Sequence, residues 1–377
     1  MFANRCNMDL QSLREKIDNI DGAILDLFTE RMEIVGDIAE YKKANSLPVF
    51  QSDREEKIVS RVRNNSPKGL ENASETLFLN LMDVSKAIQN KRLFDEKFVP
   101  AVEKFIPKDK KIIACQGASG AYSTDAAMKL FPNSEKIYFE QFTDVINAVT
   151  DGKADCGLLP LQNSTCGVIT ETYDILAKCN LYINAIIRVN ASHCIAAKPD
   201  SDRITRVYSK QEALSQCSDY ITENSLEALA FANTALAAKF VASTKDKNIA
   251  CICSESCAKL YGLEIIKTEI ANANPNYTRF ICFSKTFSEI ADADTISVSL
   301  SIPHTKASLY RLLTKFAVSG LNLVKIENKA VAGSDFQVIF YLDFSGSYAD
   351  PNVLALLDDL SQNLEYFRFL GSFKEIF

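Results

Sequence analysis

No apolar run in this 377-residue chain approaches the ~20 residues needed to cross a bilayer, so no membrane partner is expected. The opening MFANRCNMDL lacks the apolar core of a secretory signal, and the expected location is cytoplasmic. Basic charge is in deficit: 42 Lys and Arg stand against 48 Asp and Glu, a net −6 that argues against a nucleic-acid partner. The eleven cysteines are odd in number and spread through apolar segments such as Cys251-Ile252-Cys253, which excludes a disulfide framework and predicts reduced, mostly buried thiols. Cys251, Cys253 and Cys257 crowd together, but no second Cys or His cluster completes a metal site. A P-loop ending and a full dinucleotide fingerprint are also missing, so no cofactor is expected. What remains is an acidic chain, 47% hydrophobic, long enough for two or three domains with real cores.

Leu10, Leu13, Ile17, Ile20, Ile24, Leu27, Arg31, Ile34, Ile38 and Tyr41 follow alternating spacings of three and four, which predicts a long first helix packed against other helices. Arg31 alone in that seam is not apolar. A buried guanidinium needs an anion, either a ligand or a neighbour such as Glu30 or Asp26. Lys42 follows Arg31 by eleven residues, about 20° around the helix and roughly 16 Å along it, so both can reach one small dianion. Arg14 precedes Lys42 by 28 residues, roughly 42 Å, and joins such a site only from a second chain. Two more helices are expected, about 53–62 and 74–93. They carry Arg54 with Glu55, and Ser85 with Gln89 at i and i+4 on a face otherwise lined by Leu77, Leu81, Met82 and Ile88.

This set, with Leu13-Arg14-Glu15-Lys16-Ile17, Pro48-Val49 and Asp53-Arg54-Glu55, resembles the all-helical chorismate mutase family over about residues 8–92. Members dimerise by exchanging the first helix. The resemblance implies that Arg14 of the partner chain, Arg31 and Arg54 hold the two carboxylates of chorismate. Lys42 and Gln89 would sit on the ether oxygen, Glu55 would take the hydroxyl, and Ser85 would lie nearby. Gln51 stands where relatives often have Asp. A Claisen rearrangement suits such a site, because it needs a compact conformer and donors aimed at the oxygen that gains charge, with no nucleophile or metal.

Residues 94–111, with Pro100, Pro107 and Lys108-Asp109-Lys110-Lys111, break helical periodicity and read as a linker. Strand Ile112–Cys115 then runs into Gly117-Ala118-Ser119-Gly120-Ala121-Tyr122-Ser123, followed by a helix from Asp125 to Leu130. This is an anion-binding corner or a plain tight turn. Strands and helices alternate through Cys156–Pro160, Asn163–Gly167 and a second half with strands at Ile204–Tyr208 and Ile249–Cys253 and helices around 227–240 and 254–260. The pattern predicts a bilobed α/β fold with a cleft between lobes. His193 falls in an apolar run and reads as a satisfied core histidine.

Gly117 to Ser123, Pro160 to Gly167, His193-Cys194, Gln216-Cys217, Tyr261-Gly262-Leu263 and Thr278-Arg279-Phe280 resemble, in order and spacing, the prephenate dehydratase domain over residues 111–285. The resemblance implies that the Thr278 hydroxyl helps the ring hydroxyl leave as carbon dioxide departs. Arg279 would help orient the site, and Asn163, Ser164, Ser209 and Gln216 would line it. Read alone, Thr278 is also a good strand-edge residue. Relatives usually have Glu at Gln162 and Gln at Glu212, and this reversal predicts that the two side chains face each other.

After a short linker, residues 295–377 read β-α-β-β-α-β, with Ile296, Val298, Leu300 and Ile302 on one strand face. The pattern resembles the ferredoxin-like α+β ACT domain, a regulatory module that binds amino acids at a subunit interface or serves dimerisation alone. Its effector positions would include Ala307, Ser308, Leu309, Glu327 and Asn328, where the usual Gly-Ala-Leu reads Ala-Ser-Leu and Glu-Ser-Arg-Pro reads Glu-Asn-Lys-Ala. The expectation is a multidomain α and α/β chain. It comprises a helical mutase domain at 1–95, a linker at 96–110, a bilobed, periplasmic-binding-like dehydratase domain at 111–285 and an ACT domain at 295–377. Chorismate and prephenate would be its substrates, phenylalanine its effector and a homodimer its minimum assembly. An active mutase fused to a non-catalytic sensing module, or a dehydratase preferring arogenate, are the alternatives.

Overall fold

The computed structural model describes residues 9–94, 102–273, 275–330 and 338–377. The chain divides into two compact units: residues 1–100, 300–340 and 348–367 form one, and residues 101–299, 341–347 and 368–377 the other. No helix among the described residues is long and apolar enough to cross a membrane.

In the first unit, α1 (Leu10–Ala44), α2 (Ser52–Asn65) and α3 (Glu71–Leu93) make the helical part. Lys42 and Lys43 in the last turn of α1, Asp53 and Glu55 in the first of α2, and Lys91 and Arg92 in the last of α3 each complement a helix dipole. The face of α1 turned inward carries Val35, Gly36, Ala39 and Lys42. Ile17 and Ile24 precede Val35 and Lys42 by eighteen residues, five full turns, and so share their face, yet Ile17, Ile20 and Ile24 are each 57–58% exposed and Leu27 is 66% exposed. The N-terminal half of the seam therefore does not pack within this chain, and Arg31, four residues before the buried Val35, lies in the seam where the covered part of α1 begins. Periodicity reports which face is apolar, and says nothing of which chain covers it.

The helices Ser308–Val318 and Pro351–Asn363 also belong to the first unit and pack on α3. Ala307, the residue before the first of them, has φ 64°, and Ser308 and Leu309 open the helix. The backbone thus keeps a left-handed conformation that glycine adopts freely and alanine at a cost of about 1–2 kcal/mol. Ala307→Gly is expected to stabilise the chain by about 1 kcal/mol, less the extra entropy of the unfolded glycine, read as a shift in the denaturant midpoint. Glu327 and Asn328 lie in the strand Leu323–Ala330.

The second unit holds two sheets. In one, the strand order is Glu264–Lys267, Cys194–Ala197, Ile249–Cys253, Arg206–Ser209, Glu227–Ala230. In the other, Tyr182–Asn190, Tyr277–Ser284, Cys156–Asn163, Ile112–Gln116 and Glu135–Phe139 lie side by side, with Phe367–Phe373 beyond Tyr182–Asn190. Ile113, Cys115, Leu158, Ile187 and Phe280 pack there against the helix Tyr122–Leu130. The chain passes between the two lobes twice, at 190–194 and 267–277. Residues 227–230 are a strand rather than the start of a helix, and the helix is Thr234–Ser243. From residue 295 the elements run β-α-β-β-α-β, and the strand Thr295–Ser301 is buried on both faces, Ser297 and Ser299 included. The ten described cysteines are free thiols, eight of them buried.

Candidate active sites

Between α1 and α3, Arg31 donates from Nη1 to the Leu81 carbonyl at 3.1 Å and to the Ser85 hydroxyl. Its partners are therefore neutral, and neither Glu30 nor Asp26 is among them. One turn along α3, Gln89 is buried; its Nε2 lies 3.3 Å from the Ser85 carbonyl, and its Oε1 has no hydrogen-bond partner among the described residues. Lys42, 8% exposed, donates to the Val49 carbonyl at 2.7 Å. Burial lowers the pKa of both cations, and for Lys42 the Glu55 carboxylate pulls the other way. Burial thus desolvates both cations, and the buried amide oxygen of Gln89 is left without a partner among the described residues.

Glu55 itself is occupied: Lys86 Nζ lies 2.7 Å from its Oε1. Sequence reasoning missed Lys86, although it falls on the stripe Met82, Ser85, Gln89 that turns inward on α3. Arg14 and Arg54 are both exposed.

In the second unit, Thr278 stands opposite Asn163 on neighbouring antiparallel strands. Asn163 Nδ2 lies 3.0 Å from Thr278 Oγ1 and 2.8 Å from Asn276 Oδ1. Asn276 in turn donates to Gln216 Oε1 at 3.1 Å. That same oxygen lies 2.8 Å from His193 Nε2, so this nitrogen carries the proton and Nδ1, 2.8 Å from the Tyr122 hydroxyl, accepts. Burial lowers the His193 pKa and keeps the ring neutral, with the Gln216 hydrogen bond opposing. Gln216 Nε2 donates to Thr165 Oγ1 at 2.8 Å, and Ser164 Oγ accepts from the Tyr277 backbone N–H at 2.9 Å. The result is a neutral hydrogen-bonded chain between the lobes, ending on the Thr278 hydroxyl. Asn276, just before the strand Tyr277–Ser284, was not among the candidate site residues.

Two family models match the chain: chorismate mutase type II over residues 13–90, and prephenate dehydratase over residues 113–288. A bifunctional chorismate mutase/prephenate dehydratase of Aquifex aeolicus is 26% identical over 370 residues, covering 97% of this chain and 98% of the relative. The chain belongs to this bifunctional family. An arogenate dehydratase/prephenate dehydratase of Arabidopsis thaliana is 30% identical over 332 residues, covering 84% of this chain and 86% of the relative. A prephenate dehydratase of Arthrobacter aurescens, solved in complex with L-Phe, has a TM-score of 0.64 and 26% identity, covering 70% of this chain and 89% of that one.

As a chorismate mutase/prephenate dehydratase, the chain carries one of the two side-chain clusters in each matched segment. Two residues expected at the dehydratase site lie apart from the Thr278 network. Ser209 is fully buried and donates to the Ile252 carbonyl at 2.7 Å, tying two parallel strands of its own lobe. Arg279 follows Thr278 in the strand and so points to the opposite sheet face. There its Nε and Nη2 each lie 3.0 Å from a Glu375 oxygen, and Nη1 lies 3.4 Å from Gln162 Oε1. Gln162 and Glu212 do not meet, since Glu212 is exposed and 3.2 Å from Lys210. The residue exchange at those positions is not the reversal of one hydrogen bond, and nothing in the structure explains it.

Proposed function

We propose that the α1–α3 cluster rearranges chorismate to prephenate and that the Thr278 network converts prephenate to phenylpyruvate. The observation that carries this reading is the contrast between the clusters: one is cationic and short of partners, the other neutral and hydrogen-bonded throughout. The rearrangement asks for fixed positive charge. In the mutase site Arg31, Arg54 and a partner chain's Arg14 would hold the two carboxylates, and Lys42 and Gln89 would face the ether oxygen as its bond to carbon breaks. Glu55 would take the substrate hydroxyl, with Ser85 keeping Arg31 in line.

In the dehydratase site the ring hydroxyl leaves with its electron pair as the carboxylate departs as carbon dioxide and the ring becomes aromatic. A hydroxyl is a poor leaving group without a donor. Thr278 O–H would give that hydrogen bond, and Asn163 N–H, donating to Thr278 Oγ1, makes it a better donor by polarising the O–H. Gln216 and Ser164 would line the cleft, while Arg279 and Ser209 would act from behind it.

The C-terminal β-α-β-β-α-β segment would be an ACT domain that senses phenylalanine, with Ala307, Ser308, Leu309, Glu327 and Asn328 at its effector site. Its element order and the L-Phe complex of the Arthrobacter relative support this. The exposed seam of α1 supports a homodimer in which the first helices are exchanged, because exposed apolar stripes of that length mark interfaces. A cytoplasmic location is part of the same reading. The test is purified full-length protein with chorismate alone: chorismate should disappear and phenylpyruvate appear. Accumulation of prephenate that responds only to arogenate addition would instead make the second domain an arogenate dehydratase, and no product from either would make it a sensor.

A further inference from the structure

Glu55, Lys86, Asp83 and Arg311 form a closed ring of alternating charge. Lys86 Nζ lies 2.7 Å from Glu55 Oε1 and 2.8 Å from Asp83 Oδ1. Arg311 Nη2 lies 3.2 Å from Glu55 Oε2 and 3.0 Å from Asp83 Oδ1, while its Nε lies 3.0 Å from Asp83 Oδ2. Glu55 comes from α2, Asp83 and Lys86 from α3, and Arg311 from the helix Ser308–Val318, which lies outside the matched mutase segment but within the same compact unit. The Asp83 side chain is 3% exposed, those of Lys86 and Glu55 15% and 16%, and that of Arg311 35%, so the carboxylates are shielded from water while Arg311 closes the ring from its outer side. Both oxygens of Glu55 are thus pinned by a cation from a different helix, yet each keeps a lone pair for one more donor.

We infer that Arg311 is a positioning residue for the mutase reaction, fixing the Glu55 carboxylate from the side opposite Lys86 so that it faces the chorismate hydroxyl. The inference rests on the reading of Glu55 as the group that takes that hydroxyl. Without Arg311 the ring holds a net negative charge beside a site for a dianion, and Glu55 is held by Lys86 alone, free to turn about that one contact. A helix of the C-terminal segment then belongs to the working mutase, and any ligand that moves this helix changes the affinity for chorismate.

Mutase kinetics on full-length Arg311→Gln, Arg311→Lys, Lys315→Met, Glu55→Gln and the Glu55→Gln/Arg311→Gln pair test this. Lys315, on the same helix as Arg311, pairs with Asp359 of the helix Pro351–Asn363 and away from the ring, so its loss weakens helix packing alone. Arg311→Gln should raise KM for chorismate about tenfold with a smaller change in kcat, and Arg311→Lys should fall between it and the parent. Lys315→Met should stay within about twofold, as should dehydratase kcat/KM with prephenate in every variant, which also reports folding. The pair should be no worse than Glu55→Gln alone. Additive effects in the pair, equal effects of Lys315→Met and Arg311→Gln, or a parental KM in both Arg311 variants would each overturn the inference. A silent Glu55→Gln would overturn the reading of Glu55 and the inference with it, whereas an impaired Glu55→Gln beside a silent Arg311→Gln removes only the inference.

Discussion

Thr278→Val given chorismate consumes it at the parental rate and accumulates prephenate, with phenylpyruvate formation down by about 10²–10³-fold. Valine keeps the β-branched shape that the strand Tyr277–Ser284 favours and removes only the hydroxyl. The loss is therefore chemical. Its size follows from the neutrality of the surroundings: the hydrogen-bonded chain Asn163, Asn276, Gln216, His193 holds no cation or carboxylic acid to replace the lost donor. Thr278→Ser restores a hydroxyl without the methyl that fixes its rotamer, and should recover most of the rate. The measurement is a time course of both products. Phenylpyruvate formation by Thr278→Val within about tenfold of the parent would move the donor's role to another group.

Much of the fold was legible because binary pattern and length agreed. The helix Pro351–Asn363 and the strand Phe367–Phe373 complete the β-α-β-β-α-β order read from residue 295, and α1 runs only a few residues past its apolar seam. Residues 227–230 were not legible. Glu-Ala-Leu-Ala is a run of helix formers, and the strand exists because it pairs in parallel with Arg206–Ser209, a tertiary contact that outweighs local propensity. The site was legible in its residue types and less so in its pairings. Thr278 and Asn163 are 115 residues apart, and their register depends on a bulge after Arg279 that no local signal announces. Arg31 called for an anion by its place in an apolar seam, whereas within the chain its Nη1 meets a hydroxyl and a carbonyl, both neutral. The neighbours Thr278 and Arg279 share a motif and not a face, which strand alternation alone could have told.

Mixing two inactive variants should restore mutase activity to about a quarter of the parental value. Arg14→Ala and Lys42→Ala are each expected to cost about 10²–10³-fold in chorismate turnover, since each removes a fixed cation from the substrate. Arg14 is exposed, in the half of α1 that no other part of the chain covers, and it lies roughly 42 Å along the helix from Lys42. In the proposed homodimer it would reach a site only on the second protomer. Random exchange gives about half heterodimers, and each has one site with both defects and one with neither, so about one site in four is whole. Recovery should need time or mild denaturant, because exchanging a long helix requires the dimer to open. Arg31→Ala mixed with Lys42→Ala is the control: both side chains belong to one protomer's site, every site keeps a defect, and no activity should return. Equal recovery in the two mixtures, or none in either, would mean that Arg14 does not act across chains, and the seam on α1 would need another occupant.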